Sequence, residues 1–308
     1  MTKSRHMLNL KDWSSDKIQD IIRRAVDMKD RPGDFGSTFE GLNLCLLFQK
    51  TSTRTRASFE VGMAQMGGNT IYMDWNTTNF ALSDLEDESR VLSHYVDCIV
   101  ARMLRHSDLL KIAKGSKVPV INGCCEIYHP CQILGDLLTI REHTDRLEGS
   151  KIVYIGVHNN VCNSLIEGCT KLAMEITVVA PEGNPSSEDE ELLESARKTG
   201  LYKTTLDVRS AVNEVDFIYT DTWLDMEYFS DSKYAVEKAR RVEIMSPYQV
   251  NEELLACNSR ALIMHCLPAH KGYEITEGVV NGPRSIVFKQ AENRLHAQKA
   301  LLWELLAN

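Results

Sequence analysis

The sequence predicts an α/β protein made of two domains, each a doubly wound parallel sheet. Three observations carry this. Apolar runs of strand length alternate with segments of helical periodicity along nearly the whole chain, which is the pattern of parallel strands joined by helices. The alternation breaks once, at the polar stretch TDRLEGS (144–150), and a fresh series begins at KIVYIGV. Finally, 308 residues with 43% hydrophobic and 25% charged side chains are enough for two cores. The boundary falls between 146 and 147, giving domains 1–146 and 147–308.

In chain order, Ser14 or Ser15 can cap a helix whose apolar face is Ile18, Ile21, Ile22, Ala25 and Met28, closed by Arg31, Pro32 and Gly33. LNLCLLF (42–48) reads as a buried strand. The stretch QKTSTRTRASFE follows and opens a helix ending at Gly67 and Gly68. Then come a strand at 70–75, a helix at 83–96, a strand at 98–103, a helix at 107–115, a strand at 118–123 and a helix at 129–143. The second series places strands at 151–157, 175–181, 216–221, 260–268 and 285–290, with an acidic helix at 186–200. The final segment, 292–306, is an amphipathic helix with Leu295, Leu301, Leu302, Leu305 and Leu306 available to pack.

A formal charge of −8 disfavours a nucleic-acid or membrane surface, since both reward a basic face. No signal-like start or membrane-length apolar run is visible, so the cytoplasm is the expected compartment. Nine cysteines, an odd number without CxxC spacing, read as reduced thiols, and the absence of HExxH or paired ligand spacing leaves no expected metal. The first strand of the second series is followed by IGVHNN, where only Gly156 stands for the GxGxxG of a dinucleotide loop; no cofactor is expected.

Against that acidic background, STRTR (52–56) is a compact nest of cations and hydroxyls at a strand-to-helix junction. Ser52 or Thr53 can cap the helix, its first turn offers unpaired N–H groups, and Arg54 and Arg56 add charge, which together suit an oxyanion. A capped helix with two solvated arginines is the plain alternative, and Lys50 reads as surface. Arg102 ends another strand. His129 and Gln132, in HPCQ, sit at a third junction where Pro130 restricts the backbone. Taken singly, Arg102 could be half of a salt bridge and His129 a satisfied core histidine. In the second half, Asn159 and Asn160 follow one strand end, Asp221 another with Asp225 four residues on, and Cys266 a third. An ordinary turn, a solvated loop and a packed thiol are the plain readings of those three.

The set STRTR, HPCQ, HCLP and QAENRLHAQKALL, in that order and spacing, resembles the aspartate/ornithine carbamoyltransferase family, its ornithine branch above all, over the full chain. The resemblance implies that residues 1–146 bind carbamoyl phosphate, that residues 147–308 bind the acceptor, and that the helix 292–306 crosses back to the first domain. It assigns Ser52, Thr53, Arg54, Thr55 and Arg56 to the phosphate. Arg102, His129 and Gln132 fall to the carbamoyl group, with Arg102, His129 and Thr55 polarising its oxygen. Cys266 and Leu267 with Arg294 would close over the carbamoyl nitrogen; Asn160, Asp221 and Met226 would hold the acceptor. Asp221, paired with Cys266 or with the substrate ammonium, would lower the cost of a deprotonated amine nearby. A homotrimer, or a multiple of one, is also implied. Three stretches depart from the branch: Asp225-Met226-Glu227 where Ser-Met-Gly is usual, IGVHNN where Gly-Asp-Gly precedes the asparagines, and the apolar start of NFALSDLEDE. The expected reaction is carbamoyl transfer to ornithine, giving citrulline and phosphate. Transfer to putrescine, lysine or a modified ornithine, with Asp225 receiving the extra ammonium, and a non-catalytic carbamoyl phosphate-binding homologue are the alternatives.

Overall fold

The structure, a computed structural model, describes residues 6–224, 229 and 232–307. It separates into two compact units, one formed by Met1–Ile140 with Glu292–Asn308, the other by Arg141–Ala291.

In the first unit, helix α1 (Ser15–Asp30) buries Ile18, Ile21, Ile22, Ala25 and Met28, and its N-terminus is capped by the Ser14 side chain. Strands β1 (Asn43–Phe48), β2 (Asn69–Asp74), β3 (Cys98–Arg102) and β4 (Val120–Cys124) form a parallel sheet in the order β2-β1-β3-β4. Helices α2 (Thr53–Gln65), α3 (Leu85–Leu92) and α4 (His106–Gly115) connect successive strands, and α5 (Pro130–His143) follows β4. Cys45, Leu47, Ile99 and Ala101 pack against Leu92, Leu109 and Ile112, while the alternate residues Leu44 and Leu46 are equally buried on the opposite face. Both faces are therefore covered, which is why β1 is an unbroken apolar run.

The chain leaves β1 for β2 on one side and returns to β3 on the other. The sheet thus reverses direction between β1 and β3, where Phe48 is in register with Arg102. In open parallel sheets that reversal leaves a crevice at the carboxyl ends of the two strands. STRTR follows β1 and Arg102 ends β3, so both lie at this point.

The second unit repeats the plan. Strands β5 (Lys151–Ile155), β6 (Glu175–Val179), β7 (Tyr202–Thr204), β8 (Phe217–Thr220) and β9 (Leu262–His265) run parallel in the order β7-β6-β5-β8-β9, with the reversal between β5 and β8. Helices α6 (Asn160–Lys171), α7 (Glu190–Lys198) and α8 (Ala235–Met245) belong to it. Val153, Ile155, Val179, Ile218 and Ile263 share one core with Val250, Leu254 and Val279.

One expected element is overturned. Residues 285–290 do not form a strand: helix α9 spans Val287–Leu306. Among the described residues a single bridge, Ile263 with Ser285, joins this segment to β9, through Ile263 N to Arg284 O and Ile286 N to Ile263 O, and Ile286 and Val287 are buried there. An apolar run this short fits a buried helical turn as well as a strand. Strand β7 went unread because it has three residues, two of them exposed at a sheet edge.

Candidate active site

In the first unit the Ser52 hydroxyl caps α2, accepting from Thr55 N at 3.2 Å, so the first turn presents its remaining amides at the end of β1. Thr55 is buried and its Oγ1 accepts from Arg294 Nη2 at 3.2 Å. Arg294 Nη1 donates to Gln132 Oε1 at 2.5 Å, and Gln132 Nε2 donates to the fully buried Asp136 at 2.8 Å. Arg102 has a buried Nε with no hydrogen-bond partner among the described residues. His129 precedes α5 and is 8% exposed; burial, then the cationic fields of Arg294, Arg102 and Arg54, holds its imidazole well below the ordinary histidine value. It is therefore a neutral hydrogen-bonding group amid three cations.

Arg56 stands apart from this group. It is exposed, donates to Glu60 Oε1 at 2.9 Å and lies 3.8 Å over the Tyr72 ring. Thr53 is exposed, and Lys50, read from sequence as surface, is half-buried.

In the second unit Asn159 Oδ1 caps α6, accepting from Val161 N and Cys162 N at 3.0 Å, and Asn160 is the first residue of that helix. The Asn159 Nδ2 donates to Asp221 Oδ2 at 2.8 Å. Asp221, at the end of β8, accepts on Oδ1 from Thr222 N at 2.7 Å and from the Cys266 thiol at 2.8 Å. The thiol after β9 is thus half-exposed and hydrogen-bonded to a carboxylate rather than simply packed. Leu267 adopts φ 55°, and its N–H donates to His265 Nδ1 at 2.9 Å. With Nδ1 accepting, Nε2 carries the proton and donates to the buried Glu274 at 3.1 Å. Two buried side chains therefore hold the Cys266-Leu267 backbone. Asp225 and Met226, read as acceptor-binding, lie outside the described residues.

The comparisons match this layout domain by domain. Residues 5–142 match the model of the aspartate/ornithine carbamoyltransferase carbamoyl-P binding domain, and residues 148–305 match that of the Asp/Orn binding domain. The chain belongs to the aspartate/ornithine carbamoyltransferase family. Within that family it is 43% identical to an ornithine carbamoyltransferase of Haloquadratum walsbyi, over 100% of this chain and 99% of the relative. It is 40% identical to one from Halalkalibacterium halodurans, over 99% of this chain and 96% of the relative. Among solved structures, ornithine carbamoyltransferase from Pyrococcus furiosus superposes with a TM-score of 0.91 at 38% identity, covering 99% of this chain and 98% of that one. The Giardia lamblia enzyme gives 0.88 at 29% identity, covering 100% and 99%.

Three residues of this carbamoyltransferase carry more than their sequence context suggested. Asp136 and Gln298 stand four residues after Gln132 and Arg294, a helical spacing that places them on the same face and could have flagged them. Asn159 holds Asp221 from 62 residues away, and no local pattern announces that. The ligand atoms of Asp221, His265 and Cys266 also lie within 4.8 Å of one another. Both Asp221 oxygens and both His265 nitrogens already have protein partners, so the trio reads as a hydrogen-bonded cluster.

Proposed function

We propose that this protein transfers the carbamoyl group of carbamoyl phosphate to the side-chain amine of ornithine, yielding citrulline and phosphate. The observation that carries the reading is the group at the sheet reversal of the first unit: Arg54, Arg102 and Arg294 around a neutral His129, beside the capped N-terminus of α2. A phosphate dianion suits the helix end and the arginines. Arg102, His129 and Thr55 would polarise the carbamoyl oxygen, and Gln132, Arg294 and the Cys266-Leu267 segment would hold the carbamoyl nitrogen. Asn160, Asp221, Asp225 and Met226 would bind the amino acid, and the relatives' names support ornithine as the acceptor.

In the step itself, the lone pair of the neutral amine attacks the carbamoyl carbon. The carbon–oxygen bond to phosphate breaks, phosphate departs with that electron pair, and the proton the amine gives up ends on the departing phosphate. No covalent enzyme intermediate is required. The protein contributes positioning and stabilisation of the developing oxyanion. Asp221, already accepting from the Cys266 thiol and from Asn159, would orient or neutralise the acceptor's ammonium before it loses its proton.

The expected setting is a cytoplasmic homotrimer or a multiple of one. No helix among the described residues is long and apolar enough to cross a membrane. The test is phosphate release from carbamoyl phosphate with ornithine, putrescine, lysine, acetylornithine and aspartate in parallel. Release with ornithine alone, reduced about 10²- to 10³-fold in kcat by Arg102→Ala, is the expected result. Release only with a different amine would move the activity to that acceptor and turn attention to Asp225 and Glu227; silence with every amine, despite carbamoyl phosphate binding, would favour a non-catalytic homologue.

A further inference from the structure

Gln298 lies on α9 four residues after Arg294 and is fully buried, so both ends of its amide need partners. The orientation that supplies them has Oε1 accepting from Arg294 Nη2 at 2.8 Å and from Nε at 3.0 Å, with Nε2 donating to Ser58 Oγ. Ser58 is on α2, and its hydroxyl donates to the Arg54 carbonyl at 2.5 Å. An unbroken series of hydrogen bonds therefore runs from the Arg294 guanidinium through the Gln298 amide and the Ser58 hydroxyl to the backbone of the STRTR turn. Five N–H groups are available on Arg294. Gln298 takes the Nε–H and one Nη2–H, Thr55 the other Nη2–H and Gln132 one Nη1–H, which leaves a single Nη1–H unclaimed among the described residues.

We propose that Gln298 is a positioning residue, whose amide fixes the rotation of the Arg294 guanidinium and its distance from the phosphate-facing turn of α2. The inference rests on the reading of this region as the carbamoyl phosphate site. By occupying the inner edge of the guanidinium, Gln298 forces the Nη1 edge toward Gln132 and the ligand. By gripping Ser58 it makes the arginine and the helix turn move as one. An apolar side chain of the same size would fill the space and leave the guanidinium held by Thr55 and Gln132 alone, with its Nε edge unpaired.

The experiment is steady-state kinetics on the whole enzyme, with the KM for carbamoyl phosphate and for ornithine measured separately. Gln298→Met, of similar volume, is expected to raise the carbamoyl phosphate KM about tenfold and leave that for ornithine within about twofold. Gln298→Glu keeps an oxygen acceptor for Nε and Nη2 but has no N–H to give Ser58, and is expected to recover part of the loss. Should Gln298→Met prove insoluble, Ser58→Ala loosens the same amide from its other side and is expected to raise the carbamoyl phosphate KM about threefold. Unchanged constants in the methionine variant, an equal rise in both KM values, or no recovery with glutamate would each overturn the proposal, since a packing role alone would move the melting temperature and not this split. Wild-type protein that fails to bind carbamoyl phosphate would refute the site assignment itself, and so is distinguishable from a failure of Gln298.

Discussion

His129 shows how surroundings set a proton. Buried, and facing Arg294, Arg102 and Arg54, it stays neutral where an unfolded histidine, with its value near 6.5, would charge. Between the depressed folded value and 6.5 the unfolded chain binds more protons, so stability rises with pH in that window and is lost on acidification. His158 and His270, lowered by burial first of all, act in the same direction. His129→Asn should therefore make the fall in melting temperature between about pH 7 and 5 shallower than in the wild type; an identical slope would show that His129 contributes nothing there. At this scale the placement of much of the candidate site was legible in the sequence, because Arg102, His129 and STRTR stand at strand ends where parallel sheets collect ligands. The contact between Asn159 and Asp221 was not, because it depends on which strand lies beside which. The Arg56–Glu60 pair has a readable i,i+4 spacing, but the stacking of Arg56 on Tyr72 was not legible, because it depends on the neighbouring strand.

Helix α9 begins inside the segment whose apolar run predicts a strand. Its first turn, entered from the bridge beside β9, is apolar enough to pass for a strand, while its later turns carry the polar residues that tie it to α2 and α5. Close approach to α5 is made at Gly135, where an added Cβ would lie 3.0 Å from Arg294 Cδ and 3.4 Å from its backbone N and Cα. Gly135→Ala should therefore push α9 outward, lowering stability by about 1–3 kcal/mol and raising the KM for carbamoyl phosphate. Calorimetry and kinetics on one preparation check both; a stable variant with unaltered KM would mean that α9 adjusts without moving Arg294. The caps behave as the sequence suggested. Ser14 and Ser52 each accept from an amide three residues on, because the chain there is extended before turning helical.

For the whole molecule, both units share one winding scheme, and each places part of its candidate set at the reversal of its own sheet: STRTR and Arg102 in one, Asn159, Asn160 and Asp221 in the other. The strand-and-helix alternation made that architecture readable, since a run buried on both faces cannot be the amphipathic strand of an antiparallel sheet. Assembly was not readable from periodicity, and light scattering should return about three times the mass of one chain, or a multiple of that; a monomeric mass in an active preparation would contradict the trimer. The reaction is defined by where the carbamoyl carbon goes. Carbamoyl phosphate labelled with ¹³C, incubated with ornithine and the enzyme and followed by NMR, should give citrulline bearing the label, with unlabelled inorganic phosphate in equal amount and almost none of either from Arg102→Ala. Label that remains in carbamoyl phosphate, or appears only in hydrolysis products with no amine adduct, would contradict it.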